Sequence, residues 1–175
     1  MNMKYNNRAR ISKNEADLLS KLAASSKADI VEIGTYLAGT TEILAQNTKC
    51  AVWSIDNYSE HQMDPSITYK YWLAKYDNIV LIIGDSQKVG KLWQNDIGLL
   101  FIDGSHVYRN VKADYDIWSQ HVIPGGFILF HDSEEYTDLS LGSRLLPCMQ
   151  GVKRFVSELD NRIEIVDSIS VFRKE

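Results

Sequence analysis

The chain has 175 residues, 45% of them hydrophobic and 24% charged, with a net charge of −4. That length suits one domain able to bury roughly two-thirds of its unfolded surface without disulfides or metals as staples. The acidic balance, with no block of Lys or Arg, argues against a nucleic-acid partner.

Residues 14–26 place Leu18, Leu19 and Leu22 at helical spacing. DIVEIG (29–34) follows, a short apolar run stopped by glycine. GTTEILAQN (39–47) reads as a helix and AVWSID (51–56) as a second buried run. A polar and aromatic stretch over 57–78 carries a helix through Tyr69–Tyr76, which the aromatics Tyr69, Tyr71, Trp72 and Tyr76 are expected to pack. IVLIIGD (79–85) is a third run, 86–94 a short helix, and IGLLFID (97–103) a fourth run. Over 107–122, Val107, Val111, Tyr115 and Trp118 share one helical face, with Lys112, Asp114 and Asp116 assigned to the solvated face. Pro124-Gly125-Gly126 reads as a turn, FILFHD (127–132) as a fifth run, 152–160 as a helix, and the C-terminus as two strands around Asp167-Ser168.

The runs are continuously apolar rather than alternating, which is the mark of parallel strands covered on both faces. Their alternation with helices predicts a doubly wound α/β sheet with right-handed crossovers. The last two strands have no helix between them and are expected to form an antiparallel hairpin at one edge. Cys50 and Cys148 show no CxxC spacing, so a reduced cytoplasmic setting is expected. The first residues, MNMKYNNRARISK, lack the apolar core of a signal peptide, and no apolar run approaches the roughly 20 residues that span a bilayer.

In such a sheet, ligands bind outside the carboxyl ends of the strands. The five runs end in EIG, SID, IGD, FID and FHD, each with an acidic residue. Helix capping accounts for one or two acids there. Five at one rim repel each other unless a cation, a polyhydroxyl ligand or a metal offsets the charge. The loop from Glu32 to Gly39 lacks the second glycine of a GxGxxG fingerprint, and Glu32 would repel a pyrophosphate. Gly34 therefore marks either a ligand contact or a plain turn. Asp56 follows Gly34 by 22 positions, the spacing of an acid that holds ribose hydroxyls. Asp85-Ser86 either meets an adenine or caps the next helix. His106 is either a base or a helix-start residue.

VEIGTYLAGTT (31–41), WSIDNY (53–58), IGDS (83–86) and FIDGSHVYRNVKADYDIW…PGGFILFHD (101–132) resemble class I S-adenosylmethionine-dependent methyltransferases. More narrowly, they resemble the small-molecule O-methyltransferases of the catechol and caffeoyl-CoA type and of the macrolide and cephalosporin pathways. The resemblance implies a seven-stranded, mostly parallel Rossmann-like methyltransferase sheet in a single domain, with residues 1–28 as a helical extension and 29–175 as the catalytic core. It implies S-adenosylmethionine as cofactor, a hydroxyl of a small molecule as acceptor, and a divalent cation (Mg²⁺ or Mn²⁺) in the metal-using members. A homodimer is common among such proteins.

Carried onto this chain, Glu32, Gly34, Thr35, Tyr36, Gly39 and Thr40 line the methionine side of the cofactor. Asp56 and Asn57 meet the ribose, and Gly84, Asp85 and Ser86 the adenine. Asp103 lies below the sulfonium. The metal falls to Asp103, His131 and Asp132, and the base to His106. His131-Asp132 stands where metal-using relatives usually carry an acid–acid or acid–amide pair, so His131 is either a ligand or a residue that orients Asp132. The acceptor pocket is expected from 57–68 and 133–150. A nucleotide-binding or catalytically silent relative is the rival reading.

Overall fold

In the computed structural model, residues 8–59, 64–134 and 150–175 are described. Helix α1 (Lys13–Ser25) leads to strand β1 (Asp29–Ile33), α2 (Gly39–Asn47), β2 (Val52–Asp56) and α3 (Pro65–Thr68). Then come β3 (Ile79–Ile83), α4 (Ser86–Gly90), β4 (Ile97–Ile102), α5 (Tyr108–Trp118), β5 (Val122–Phe130), α6 (Gln150–Val156), β6 (Arg162–Val166) and β7 (Ile169–Arg173). The seven strands form one sheet in the order β3-β2-β1-β4-β5-β7-β6. Strands β1 to β5 pair in parallel, and β7 runs antiparallel to both β5 and β6. The expected doubly wound sheet and terminal hairpin are both present, and β7 inserts between β5 and the edge strand β6.

Every residue of β4 is buried, because its side chains alternate between two cores. Leu99 and Phe101 pack with α1 and α2, while Leu100 and Ile102 pack with α5 and α6. This two-sided cover explains the unbroken apolar runs. No helix among the described residues is long and apolar enough to cross a membrane.

Four local expectations are corrected. Pro124-Gly125-Gly126 lies inside β5 rather than in a separate turn. Gly125, at φ +80°, donates its N–H to the Lys174 carbonyl, so the strand kinks without losing its neighbour. The helix expected at Tyr69–Tyr76 is instead a π-helical turn over Tyr69–Leu73 that continues α3. Tyr69 is exposed there and Tyr76 packs against the core; the side chains of Tyr71 and Trp72 lie outside the described set. Helix α4 stops at Gly90. Asp114, placed on the solvated face, is buried and accepts a hydrogen bond from Ser86 Oγ at 2.6 Å. Helical period alone put it outside, but α4 packs over that face of α5. Most of 133–150, with Cys148, and His61 within 57–68, lie outside the described residues.

Candidate active site

The strand order reverses between β1 and β4, so their carboxyl ends face one crevice. At that point Gly34 has φ +100°, and a Cβ there would lie 2.2 Å from the Asp103 carbonyl oxygen. Only glycine allows the first loop to press so closely on the end of β4. The loop continues through Tyr36 and Ala38, both at positive φ, into α2, whose N-terminus has no side-chain cap.

Beneath the loop, Glu32 is completely buried. Its Oε2 accepts hydrogen bonds from Thr41 Oγ1 and Ser54 Oγ, each at 2.5 Å, while Oε1 has no partner among the described residues. Burial pushes its carboxyl up to about 8, against those two hydrogen bonds. Asp56 turns inward: Oδ2 accepts from the backbone N–H groups of Thr35 and Tyr36 at 2.9 Å each, and Oδ1 accepts from Tyr58 at 2.7 Å. The acid at the end of β2 thus braces the glycine loop. Thr35 Oγ1 lies 2.7 Å from Ser54 Oγ. Thr40 and Gly39 are buried in the first turn of α2. Asn57 folds back on Ser59. Gly84 donates to the Asp56 carbonyl at 3.0 Å, and Asp85 caps α4 by accepting from Lys88 N–H at 3.0 Å. Of the two readings of Asp85, the cap is the contact present; Ser86 is held by Asp114.

The ends of β4 and β5 bring together residues 28 positions apart. His131 Nδ1 lies 3.0 Å from Asp103 Oδ1 and 3.5 Å from Asp132 Oδ2. His106 Nε2 lies 3.0 Å from Asp132 Oδ2. One donor atom each from Asp103, His131 and Asp132 fall within 4.8 Å of one another, a spacing that suits a single cation. Asp132 adopts φ +53°, a conformation unusual outside glycine that turns its carboxylate back toward the two imidazoles. Its neighbours hold it there, since His131 N–H bonds the Ile102 carbonyl and Ser133 N–H bonds the Ser168 carbonyl.

The charges are strongly coupled. Burial opposes a charge on His131, but Asp103, Asp132 and Glu15 override it and hold the imidazole well above its usual range. For Asp132, burial is outweighed by the hydrogen bonds of His106 and His131, which hold it well below the usual carboxylate range. The Asp132 hydrogen bond likewise raises His106. The site can thus fix a cation, orient a polar ligand, or accept a proton on an imidazole.

Glu15 is the residue the sequence reading missed. It forms a capping box with Ser12 at the start of α1. The Ser12-x-x-Glu15 spacing announces that cap. Its second contact, Oε2 at 3.7 Å from His131 Nε2, joins residues 116 positions apart and leaves no local signal.

Residues 31–133 match the model of a family described as a methyltransferase domain. An uncharacterised protein of Acanthamoeba polyphaga mimivirus is 28% identical over 136 residues, covering 68% of this chain and 59% of that protein. The chain thus spans well under two-thirds of that relative's length. A Staphylococcus aureus protein assigned as a caffeoyl-CoA O-methyltransferase superposes with a TM-score of 0.72 at 17% identity, covering 97% of this chain and 87% of the other. The O-methyltransferase TomG of Streptomyces achromogenes, in complex with SAM, gives 0.68 at 16% identity, covering 97% and 83%. These likenesses establish the sheet topology as a methyltransferase fold.

Proposed function

The chain belongs to the methyltransferase-domain family, and from that premise we propose that it transfers the methyl group of S-adenosylmethionine to a hydroxyl of a small molecule. The observation that carries this reading is the cluster of Asp103, His106, His131 and Asp132 beside the Gly34 loop, at the carboxyl ends of β1, β4 and β5. The solved O-methyltransferases of the same fold support it. Residues 29–175 are read as the catalytic core of one domain, with 1–28 as a helical extension before it. The net charge of −4 supports a small-molecule acceptor over nucleic acid, and a cytoplasmic setting fits the spacing of the cysteines.

The residues present fit a cationic, ribose-bearing cofactor. Oε1 of Glu32 is buried and unpartnered among the described residues, where a positive group would satisfy it. Gly34, Thr35, Tyr36, Gly39 and Thr40 form the loop that would meet the methionine end. Asp56 and Asn57 stand at the ribose end, and Gly84, Asp85 and Ser86 at the adenine end. When bound, S-adenosylmethionine supplies an electrophilic methyl group open to in-line attack by oxygen. Asp103, His131 and Asp132 fit a divalent cation by their donor spacing, and such an ion would orient the acceptor oxygen and lower its pKa.

The chain's own contribution is to position and deprotonate. Asp132 accepts from Nε2–H of His106 and so selects the tautomer whose Nδ1 is basic. Nδ1 takes the acceptor hydroxyl's proton as the oxygen attacks, help of a kind worth about 10²–10⁴ in rate. Asp103 and Gly34 fix the floor on which the two reactants meet, which contributes through orientation.

A thermal-shift comparison tests the reading, since a ligand that binds only the native state raises the melting temperature. S-adenosylhomocysteine is expected to stabilise the protein and NAD to leave it unchanged. Radiolabelled methyl transfer to a panel of catechols, phenols and sugars then finds the acceptor. Stabilisation by NAD alone would overturn the proposal.

A further inference from the structure

His131 is an imidazole in a place where two oxygen ligands would serve a hard ion. Nδ1 faces the carboxylates of Asp103 and Asp132 at 3.0 and 3.5 Å. Nε2 faces the other way, 3.7 Å from Glu15 Oε2, a distance of electrostatic contact rather than of a hydrogen bond. Both His131 and Glu15 are buried. The Glu15 carboxylate is itself fixed by three donors: Ser12 N–H at 2.7 Å, Ser168 N–H at 2.8 Å and Ser168 Oγ at 2.6 Å. It is therefore a stationary negative charge behind the ring, tied to α1 and to the turn between β6 and β7.

We infer that Glu15 and His131 form the outer and inner members of a carboxylate–histidine–metal relay, in which His131 Nδ1 ligates a first-row transition ion together with Asp103 and Asp132. An ion bound between the carboxylates would displace the proton from Nδ1, and the fixed charge of Glu15 would keep the remaining proton on Nε2, so the nitrogen that faces Asp103 and Asp132 is the one freed to ligate. This is the arrangement by which outer carboxylates orient metal-binding imidazoles. A nitrogen donor suits Mn²⁺, Co²⁺ or Zn²⁺ and is a poor choice for Mg²⁺, which prefers an all-oxygen set. The inference rests on the reading of Asp103, His131 and Asp132 as a metal site. It adds the class of ion and a positioning residue, Glu15, on a helix outside the expected catalytic core.

The test uses the full chain, stripped with a chelator and titrated with Mn²⁺ or Mg²⁺, with no substrate present. Electron spin echo envelope modulation of bound Mn²⁺ reads directly whether an imidazole nitrogen is coordinated. Nitrogen modulation in the wild type, lost in His131→Asp while Mn²⁺ still binds, is the expected result. His131→Asp should also narrow the preference for Mn²⁺ over Mg²⁺ by about tenfold or more. Glu15→Gln should weaken Mn²⁺ binding by about 10- to 100-fold. Ser168→Ala, which loosens the same cap but keeps the Glu15 charge, should not. A Glu15→Gln protein that folds and holds Mn²⁺ as tightly as the wild type would overturn the role of Glu15. If it fails to fold, Glu15→Asp, which keeps the charge but draws it back from Nε2, takes its place, and unchanged Mn²⁺ binding there would overturn that role equally. Mn²⁺ bound without nitrogen modulation would overturn the relay and leave the metal reading standing. No binding of either ion would overturn both, while leaving cofactor binding by S-adenosylhomocysteine as a separate result.

Discussion

Replacing Glu32 by glutamine removes a buried ionisable group while keeping its shape and the acceptor for Thr41 and Ser54. Burial raises the Glu32 carboxyl from 4.5 to about 8. The sign follows from proton linkage. Above pH 4.5 the unfolded chain releases this proton and the folded chain retains it until about pH 8, so folding becomes progressively less favourable through that window. Each pH unit corresponds to about 1.4 kcal/mol, so by pH 7 the loss attributable to Glu32 reaches about 3 kcal/mol. Other groups, Asp132 among them, act in the opposite direction, and the difference between wild type and variant cancels them. The proton that wild type retains sits on Oε1, which has no partner among the described residues, so the amide N–H that replaces it adds only a pH-independent offset while Glu32 is neutral. The diagnostic is therefore the slope and not the absolute stability. Urea unfolding of both proteins over roughly pH 5 to 8 measures it. The stability of Glu32→Gln relative to wild type should rise by about 1.4 kcal/mol per pH unit until Glu32 ionises in the native state. A difference that stays constant across the range would show that Glu32 is ionised in the folded protein, and would refute the reasoning.

Asp114→Asn follows the same logic over a narrower window: burial lifts Asp114 from 3.8 to about 6. The variant should gain up to about 3 kcal/mol on wild type between acid and neutral pH while keeping an acceptor for Ser86, as read by urea unfolding. His106→Ala should lower kcat by about 10²- to 10⁴-fold while the protein stays folded, with the loss of the Asp132 hydrogen bond costing about 1–3 kcal/mol in urea unfolding. Because the Asp132 hydrogen bond raises His106, the acid limb of the wild-type rate profile should lie above the ordinary imidazole range. Gly34→Ala should abolish cofactor-induced stabilisation in a thermal-shift assay, since the new Cβ meets the Asp103 carbonyl at a positive φ. Gly151→Ala should lower the urea unfolding midpoint, because a Cβ there would lie 2.3 Å from the His106 carbonyl oxygen and force α6 and the turn that carries the base apart.

Much of this protein is legible in the local pattern of its residues. The unbroken apolar runs identify strands covered on both faces, their alternation with helices identifies a doubly wound sheet, and the glycine after DIVEI identifies the tight first turn. FIDGSH and FHD, read as strand ends, already mark the residues that cluster at the crevice, because the carboxyl ends of parallel strands lie on one side. Tertiary structure decides what each of those polar groups faces. Asp56 turns its carboxylate onto the backbone of Thr35 and Tyr36. Asp114 disappears beneath α4, although helical spacing puts it beside Lys112 and Asp116. Pro124-Gly125-Gly126 stays in a strand because Lys174, just past β7, exchanges backbone hydrogen bonds with Gly125 and Gly126. The contact between Glu15 and His131 exists only because the hairpin of β6 and β7 returns to the N-terminus of α1 and pins Glu15 through Ser168. Periodicity reports how a side chain relates to its own helix or strand. Which charge stands opposite it is settled by the crossovers that fold distant segments together, and no spacing within one segment encodes that.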